Sequence, residues 1–182
     1  MEIQTNTLEL LGVIASLEGD HAGVEKFFNQ AYDLRMMHEN QSLTNWRINN
    51  GYAQLNLNNP GAAKEHLEAC LTETETKKTS KHSMASLYDY LGETYRRLKV
   101  HNLAKKYLEQ SLELKSRLYP ANHMELLETY QNLGKYYKDL GDRKNAQKYF
   151  KLVDENLSKK MFAQSPELNL GKGNESYTNS TL

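Results

Sequence analysis

Glycine recurs at a nearly constant interval along this chain, and that recurrence constrains the possible folds more than any other feature. Gly12, Gly51, Gly92 and Gly134 lie 39, 41 and 42 residues apart, each within an apolar pattern of helical period. Glycine in a helix interior costs about 1 kcal/mol relative to alanine, so packing must compensate for that cost. Four such glycines at one interval indicate a stacked array of repeated structural units.

Three further positions keep a fixed distance from each glycine. A small or β-branched residue follows after twelve positions, a large apolar residue after sixteen and another residue of mostly small size after nineteen. The spacing within each set places its members on one helix face. Each copy therefore predicts a helical hairpin whose glycine lets the two backbones approach, while the large residue fills the gap to the next hairpin. The three sets are Val24, Ala63, Ala104 and Ala146; Phe28, Leu67, Leu108 and Phe150; and Ala31, Cys70, Ser111 and Val153.

Turn signals separate the two helices of a copy. Leu140-Gly141-Asp142 combines a helix stop with an N-cap residue, and Asn59-Pro60-Gly61 serves the same purpose. The sequence thus predicts an all-α fold, a right-handed α-solenoid of four helix–turn–helix repeats over residues 1–163. A polar, aperiodic tail over 164–182 is expected to be disordered. The repeats are predicted at about 4–39, 43–78, 83–118 and 123–162, with helices at about 4–18, 22–39, 43–57, 61–77, 83–98, 102–118, 123–139 and 143–162.

Charge and cysteine content favour some classes of protein over others. Lys and Arg total 23, as do Asp and Glu, so no net field attracts nucleic acid or anionic lipid. The single cysteine, Cys70, cannot form an internal disulfide, which favours a reducing compartment. No segment has the roughly 18 consecutive apolar residues of a membrane span. We therefore expect a cytoplasmic protein that neither binds nucleic acid nor inserts into a membrane.

The residue types of catalysis and metal binding are present, but not in the patterns that those functions require. None of the six histidines lies four residues from another, and no phosphate-binding loop or dinucleotide fingerprint occurs. Cys70 occupies a small packing position of a second helix, which is typical of a buried structural thiol. The sequence therefore predicts no catalytic residue, no metal site, no cofactor and no enzyme activity.

The repeated pattern resembles the tetratricopeptide repeat, whose helix–turn–helix unit usually takes about 34 residues. The longer period here is nearer to the long-helix variant found in kinesin light chain. The stretch Tyr119-Pro120-Ala121-Asn122-His123 is similar to the Pro-Asp-His link between repeats of that subfamily. The second copy departs from the pattern, with Asn50 before its glycine and Gln54 where Ala15, Tyr95 and Tyr137 stand in the others.

In a stack of such hairpins the second helices form a convex back, and the first helices line a concave groove. Asn49 and Asn132 stand two residues before a glycine, where tetratricopeptide proteins often use asparagine to hold a peptide backbone, since an amide both donates and accepts. The alternative for both is an exposed or interhelical asparagine. The predicted groove residues are Asn49, Tyr52, Asp89, Tyr90, Glu93, Arg96, Gln131, Asn132, Lys135 and Lys138.

A basic end of this groove is a further hypothesis. Lys135 and Lys138 with Arg96 and Arg97 would accept an acidic peptide. The alternative is a solvated face whose acidic neighbours dilute the field.

These expectations converge on a non-catalytic scaffold or adaptor that binds a peptide or helix of a partner protein. The resemblance to kinesin light chain implies motor, cytoskeletal or ciliary assemblies. The alternative is a regulatory, peptide-sensing module of a larger signalling or transcription-control protein. Terminal repeats usually carry polar caps, yet the last helix has Phe150, Val153, Leu157 and Phe162 on apolar faces. We therefore expect further repeats before this segment, or array ends that meet a partner protein or a second copy of the chain.

Overall fold

Helices joined by short turns make up the protein. The computed structural model describes residues 2–37, 43–76 and 79–164, and no strand occurs within these ranges. The all-α solenoid is therefore confirmed. The predicted tail lies outside the described residues, except for Gln164, which ends the last helix. The helices are α1 (Glu2–Glu18), α2 (His21–Met36), α3 (Thr44–Asn56), α4 (Pro60–Thr76), α5 (Lys81–Arg97), α6 (His101–Leu118), α7 (Met124–Asp139) and α8 (Arg143–Gln164).

One type of turn joins the two helices of every hairpin. The residue seven positions after each repeat glycine has a left-handed backbone, with φ between 55° and 75°. The next residue donates its N–H to a carbonyl five positions earlier, as Val100 does to Tyr95 at 2.9 Å. The helix stop predicted at Gly141 is confirmed, and the Asp142 carboxylate accepts the N–H of Asn145 at 3.1 Å. The left-handed residues are Gly19, Asn58, Lys99 and Gly141.

Each repeat glycine lies directly against the large residue sixteen positions later in the same hairpin. A methyl group added at any of the four would come within 2.6 Å of that side chain. Our expectation that the large residue fills the gap to the next hairpin needs correction, because this side chain covers the glycine of its own hairpin. The contacts are Gly12 with Phe28, Gly51 with Leu67, Gly92 with Leu108, and Gly134 with Phe150.

The first helices form the inner side of the array. α1 contacts α3, α3 contacts α5, and α5 contacts α7. Within the described ranges, successive second helices do not contact one another, and each of α2, α4 and α6 packs on the first helices of its own and the next hairpin. A cavity of about 400 Å³ lies at the back of the first two hairpins, lined by residues of α2, α3 and α4. In the described chain the first helices contact one another and the second helices do not, so the array of hairpins curves with the first helices on its inner side.

Aromatic residues contribute much of the core. Trp46 is buried and donates its indole N–H to the carbonyl of Phe28 at 2.9 Å, which joins the first two hairpins. Tyr95 and Tyr136 are buried in a second cluster that extends from α3 to α7. The core is therefore continuous across the last three hairpins, while the first hairpin packs mainly around Trp46.

Cys70 is the buried structural thiol that its repeat position predicts. Its side chain is fully buried, and burial, with the nearby Glu73 carboxylate, raises the pKa of the thiol to about 12. We expect a disulfide reagent such as DTNB to leave Cys70 unmodified in the native protein at neutral pH and to modify it fully in denaturant. The absorbance of the released thiolate measures this difference, and rapid labelling of the native protein would contradict it.

Candidate peptide-binding groove

A cavity of about 230 Å³ opens on the concave face between α3, α5 and α7. We call it the tyrosine pocket. It brings together seven of the ten predicted groove residues, while Asn49, Arg96 and Lys138 lie outside it. The ten predicted residues did not include Leu55, Asn56 or Glu128, and Arg97 was named only in the hypothesis of a basic end. The lining residues are Tyr52, Leu55, Asn56, Asp89, Tyr90, Glu93, Arg97, Glu128, Gln131, Asn132 and Lys135.

Two stacked tyrosine rings form part of the pocket wall. The rings of Tyr52 on α3 and Tyr90 on α5 have centroids 4.9 Å apart and planes inclined by 26°. Both residues stand close to their repeat glycines, so the contact between α3 and α5 sets the distance between the rings. Burial raises the pKa of Tyr90, so its hydroxyl stays protonated and remains a hydrogen-bond donor. The pair offers a flat, largely apolar surface with polar edges.

A buried ion pair lies beneath the pocket. Lys115 Nζ donates to Asp89 Oδ2 at 2.9 Å and to the Glu125 carbonyl at 3.1 Å, and the Asp89 and Lys115 side chains are each 1 % exposed. Burial raises the pKa of Asp89. Although its own burial opposes it, the Asp89 and Glu125 carboxylates hold the pKa of Lys115 above its usual value. Asp89 therefore supports the pocket wall from behind.

Asn132 forms a hydrogen bond with this ion pair. Its side-chain N–H group donates to Asp89 Oδ1 at 3.4 Å, which joins α7 to α5. The first hairpin repeats the arrangement: Asn49 donates to Glu9 at 2.8 Å, and Glu9 also accepts from the buried Arg35 at 2.6 Å. Both asparagines are thus interhelical, which is the alternative considered for them. A peptide-holding role for the two asparagines stays a prediction. It would use the side-chain amide donors and acceptors that do not bond to Glu9 or Asp89.

The two buried ion pairs occupy equivalent repeat positions. Each acid stands three residues before its glycine and each base twenty-three after it. The second hairpin has Ile48 and Thr74 at those positions, and the fourth has Gln131 and Leu157. Ionic junctions therefore join hairpins one to two and three to four. Stacked tyrosines lie at the junction between hairpins two and three.

The arginines near the pocket are bound to carboxylates. Arg96 and Arg97 both donate to Glu93, at 2.7 Å from each Nε, and Arg96 also pairs with Asp139. Although burial opposes it, these hydrogen bonds hold the pKa of Glu93 below its usual value. Arg97 also donates to the Leu55 carbonyl at 2.6 Å. The arginines therefore do not form a free cationic end of the groove.

The polar rim of the pocket is more open. Gln131 and Glu128 are exposed, and Lys135 is half-buried. Neither Glu128 nor Lys135 forms an ion pair with another residue in the described part of the chain. Partial desolvation by its neighbours, with repulsion from Glu125, raises the pKa of Glu128. The rim thus offers an amide, one cation and one acid above the aromatic wall, a combination that suits the polar main chain and apolar side chains of a peptide.

Stacked helical hairpins with an inner groove are the architecture of an α-solenoid repeat protein. Residues 83–153 match the family described as tetratricopeptide repeat. A solved structure, BtubC (BKLC) from P. vanneervenii, has a similar fold, with a TM-score of 0.59 and 18% sequence identity over 97% of this chain and 85% of that chain. No curated protein matches this chain. The similarity to the kinesin light chain subtype stays a prediction.

Within the described ranges, no helix has both the length and the apolar character that crossing a bilayer requires.

Proposed function

We propose that the protein is a non-catalytic interaction scaffold that binds a peptide or helix of a partner protein on its concave face. The tyrosine pocket is the observation that carries this proposal. It lies where the first helices of three hairpins meet, and it combines a stacked aromatic wall with an open polar rim. Tetratricopeptide repeats are protein-interaction modules, which supports a protein partner.

The charges around the pocket favour a particular class of ligand. Arg96 and Arg97 are bound to carboxylates, and the rim has one cation, Lys135, and one acid, Glu128, both on α7. Such a site would discriminate little between peptides of different net charge. We propose an extended segment whose main chain bonds to the rim amides and whose apolar or aromatic side chain packs on Tyr52 and Tyr90. This replaces the acidic-peptide hypothesis.

The cellular setting rests on resemblance alone. A cytoplasmic adaptor in motor, cytoskeletal or ciliary assemblies follows from the resemblance to kinesin light chain, and a peptide-sensing module of a larger regulatory protein is the alternative. The absence of catalysis and of nucleic-acid binding belongs to the same proposal. Self-association is a separate proposal, and the surface that would carry it is α1.

A display library of random linear peptides tests the groove directly. Peptides enriched on the immobilised protein are labelled, and their affinity is measured by fluorescence anisotropy. We expect Gln131→Ala/Lys135→Ala to weaken binding by about 10-fold or more, because two rim contacts of the pocket are lost. We expect Asn132→Ala to weaken the same peptides if its amide bonds to their main chain.

A matched control is available on the convex side. Lys26 and Gln30 on α2 are the same residue types at the same spacing of four and are both exposed. Lys26→Ala/Gln30→Ala should leave every affinity unchanged. The proposal fails if no peptide is enriched, or if the control variant loses as much affinity as the groove variant.

A further inference from the structure

The outer face of α1 carries a stripe of large apolar side chains. Ile3 is 80% exposed, Leu10 63%, Leu11 38%, Ile14 50% and Leu17 65%. Together with Thr7, four of these follow the alternating spacing of four and three residues that keeps side chains on one line of a helix. We call Ile3, Leu10, Leu11, Ile14 and Leu17 the α1 stripe. None of its residues carries a charge.

The third hairpin shows what the positions of this stripe do in the array. Counted from the repeat glycine, Tyr90, Leu91, Thr94 and Arg97 correspond to Leu10, Leu11, Ile14 and Leu17. Tyr90 stacks on Tyr52 of the preceding hairpin, and Arg97 bonds to the Leu55 carbonyl there. Leu91 and Thr94 are fully buried. These positions therefore form the interface with the preceding hairpin.

The fourth hairpin repeats this interface. Glu125, which corresponds to Ile3, bonds to Lys115, and Asn132 bonds to Asp89. Leu133 and Tyr136 are buried, and Asp139 pairs with Arg96. The same positions thus contact the preceding hairpin throughout the array. In α1 they are all apolar, so the stripe is an interface without a neighbour within the described chain.

The opposite end of the array does not match this stripe. The residues of hairpin four that correspond to Asp89 and Arg96 are Gln131 and Lys138, and both are exposed. Phe150 and Val153, which we expected on an apolar outer face, are half-buried, because Phe150 covers Gly134. Leu157 is 38% exposed, and the side chain of Phe162 lies outside the described residues. Packing the stripe on this end would bury lysine charge without a partner.

We propose that the α1 stripe binds the α1 stripe of a second copy of this chain across a two-fold axis. A surface without charge is complementary to itself, which an isologous contact requires. Seventeen residues of helix extend over about 25 Å, and the patch covers roughly a few hundred Å². The patch is smaller than the area of about 800 Å² that each partner buries in a standard interface, so the dimer should dissociate on dilution.

Sedimentation equilibrium of the full chain tests the proposal. The monomer mass is 21.0 kDa, and we expect the wild type to approach twice that value as concentration rises. Leu10→Lys/Leu17→Lys places like charges at the contact, and we expect dimerisation to weaken by at least about 100-fold. Both side chains are exposed, so circular dichroism should show an unchanged helical fold.

Met124→Lys/Leu140→Lys is the matched control. These apolar side chains are 44% and 46% exposed and belong to α7 and its C-terminal end, which within the described ranges does not contact α1, so the variant should dimerise like the wild type. A wild type that stays monomeric at its highest soluble concentration overturns the proposal, as do open-ended oligomers or a dimer that the α1 variant leaves intact. Because the stripe and the tyrosine pocket lie on different surfaces, this result is independent of peptide binding.

Discussion

Replacing Lys115 with methionine is expected to lower the free energy of unfolding by about 3–5 kcal/mol. Methionine fills much of the same volume but leaves the Asp89 carboxylate, 1% exposed, without its cation. An uncompensated buried charge is among the costliest defects that a single substitution can introduce. Urea denaturation followed by circular dichroism measures the loss.

Two further variants separate the buried charge from the lost side chain. Arg117→Met removes a cation of the same helix whose pair with Glu113 is exposed, and it should change stability by about 0.5 kcal/mol or less. Asp89→Asn/Lys115→Met removes both charges and should recover much of the stability lost in the single variant. A Lys115→Met protein as stable as Arg117→Met would contradict the assignment of a buried pair.

The pH range of this effect follows from the pKa of Lys115. Because that pKa is raised in the folded protein, the stabilisation is complete below the ordinary lysine value of about 10.5. It is lost only as the pH rises through the folded-state pKa. The difference between wild type and Lys115→Met should therefore be full at neutral pH and shrink at strongly alkaline pH. It should also shrink in acid, where protonation of Asp89, whose pKa burial raises, removes the unpaired charge.

Gly92→Ala is expected to destabilise the protein by about 2–3 kcal/mol, although alanine is the better helix former. The added methyl group would lie 2.6 Å from Cγ of Leu108 and 3.1 Å from its backbone nitrogen. Leu108 is fully buried, so neither helix has room to yield. Thermal and urea denaturation measure the effect.

The control is a helical glycine with free space around it. At Gly61 the nearest atom to an added methyl group is Asn59 Oδ1, at 3.8 Å, so Gly61→Ala should be neutral or stabilising by up to about 1 kcal/mol. Gly92→Ala/Leu108→Ala should cost less than the sum of its two single variants, because the smaller residue makes room for the methyl group. Equal stability of Gly92→Ala and Gly61→Ala would refute the close contact.

The sequence predicted the fold well because its main signal is local. Glycine and a large residue sixteen positions later specify a helical hairpin, and Gly141 with Asp142 specifies its turn. Asn58 and Lys99 adopt the same left-handed backbone without glycine, so their residue types gave no such signal. The repeat period, rather than the residue type, identifies those turns.

The orientation of one hairpin on the next was harder to predict. Helical periodicity tells which residues share a face, but not whether that face meets solvent or the neighbouring hairpin. Asp89 does line the tyrosine pocket as predicted, but its burial against Lys115 was not predicted. A usable signal was present, since Glu9 with Arg35 and Asp89 with Lys115 are both acid–base pairs separated by 26 residues.

The divergence of the second helices has a mechanical consequence. Space already separates the backs of the first two hairpins, so a small tilt of one on the other changes the curvature of the array with little steric resistance. The pivot of that tilt is the line along which the first helices touch. Atoms near a pivot move least, so a segment held against the inner helices would keep its contacts while the outer rim flexes.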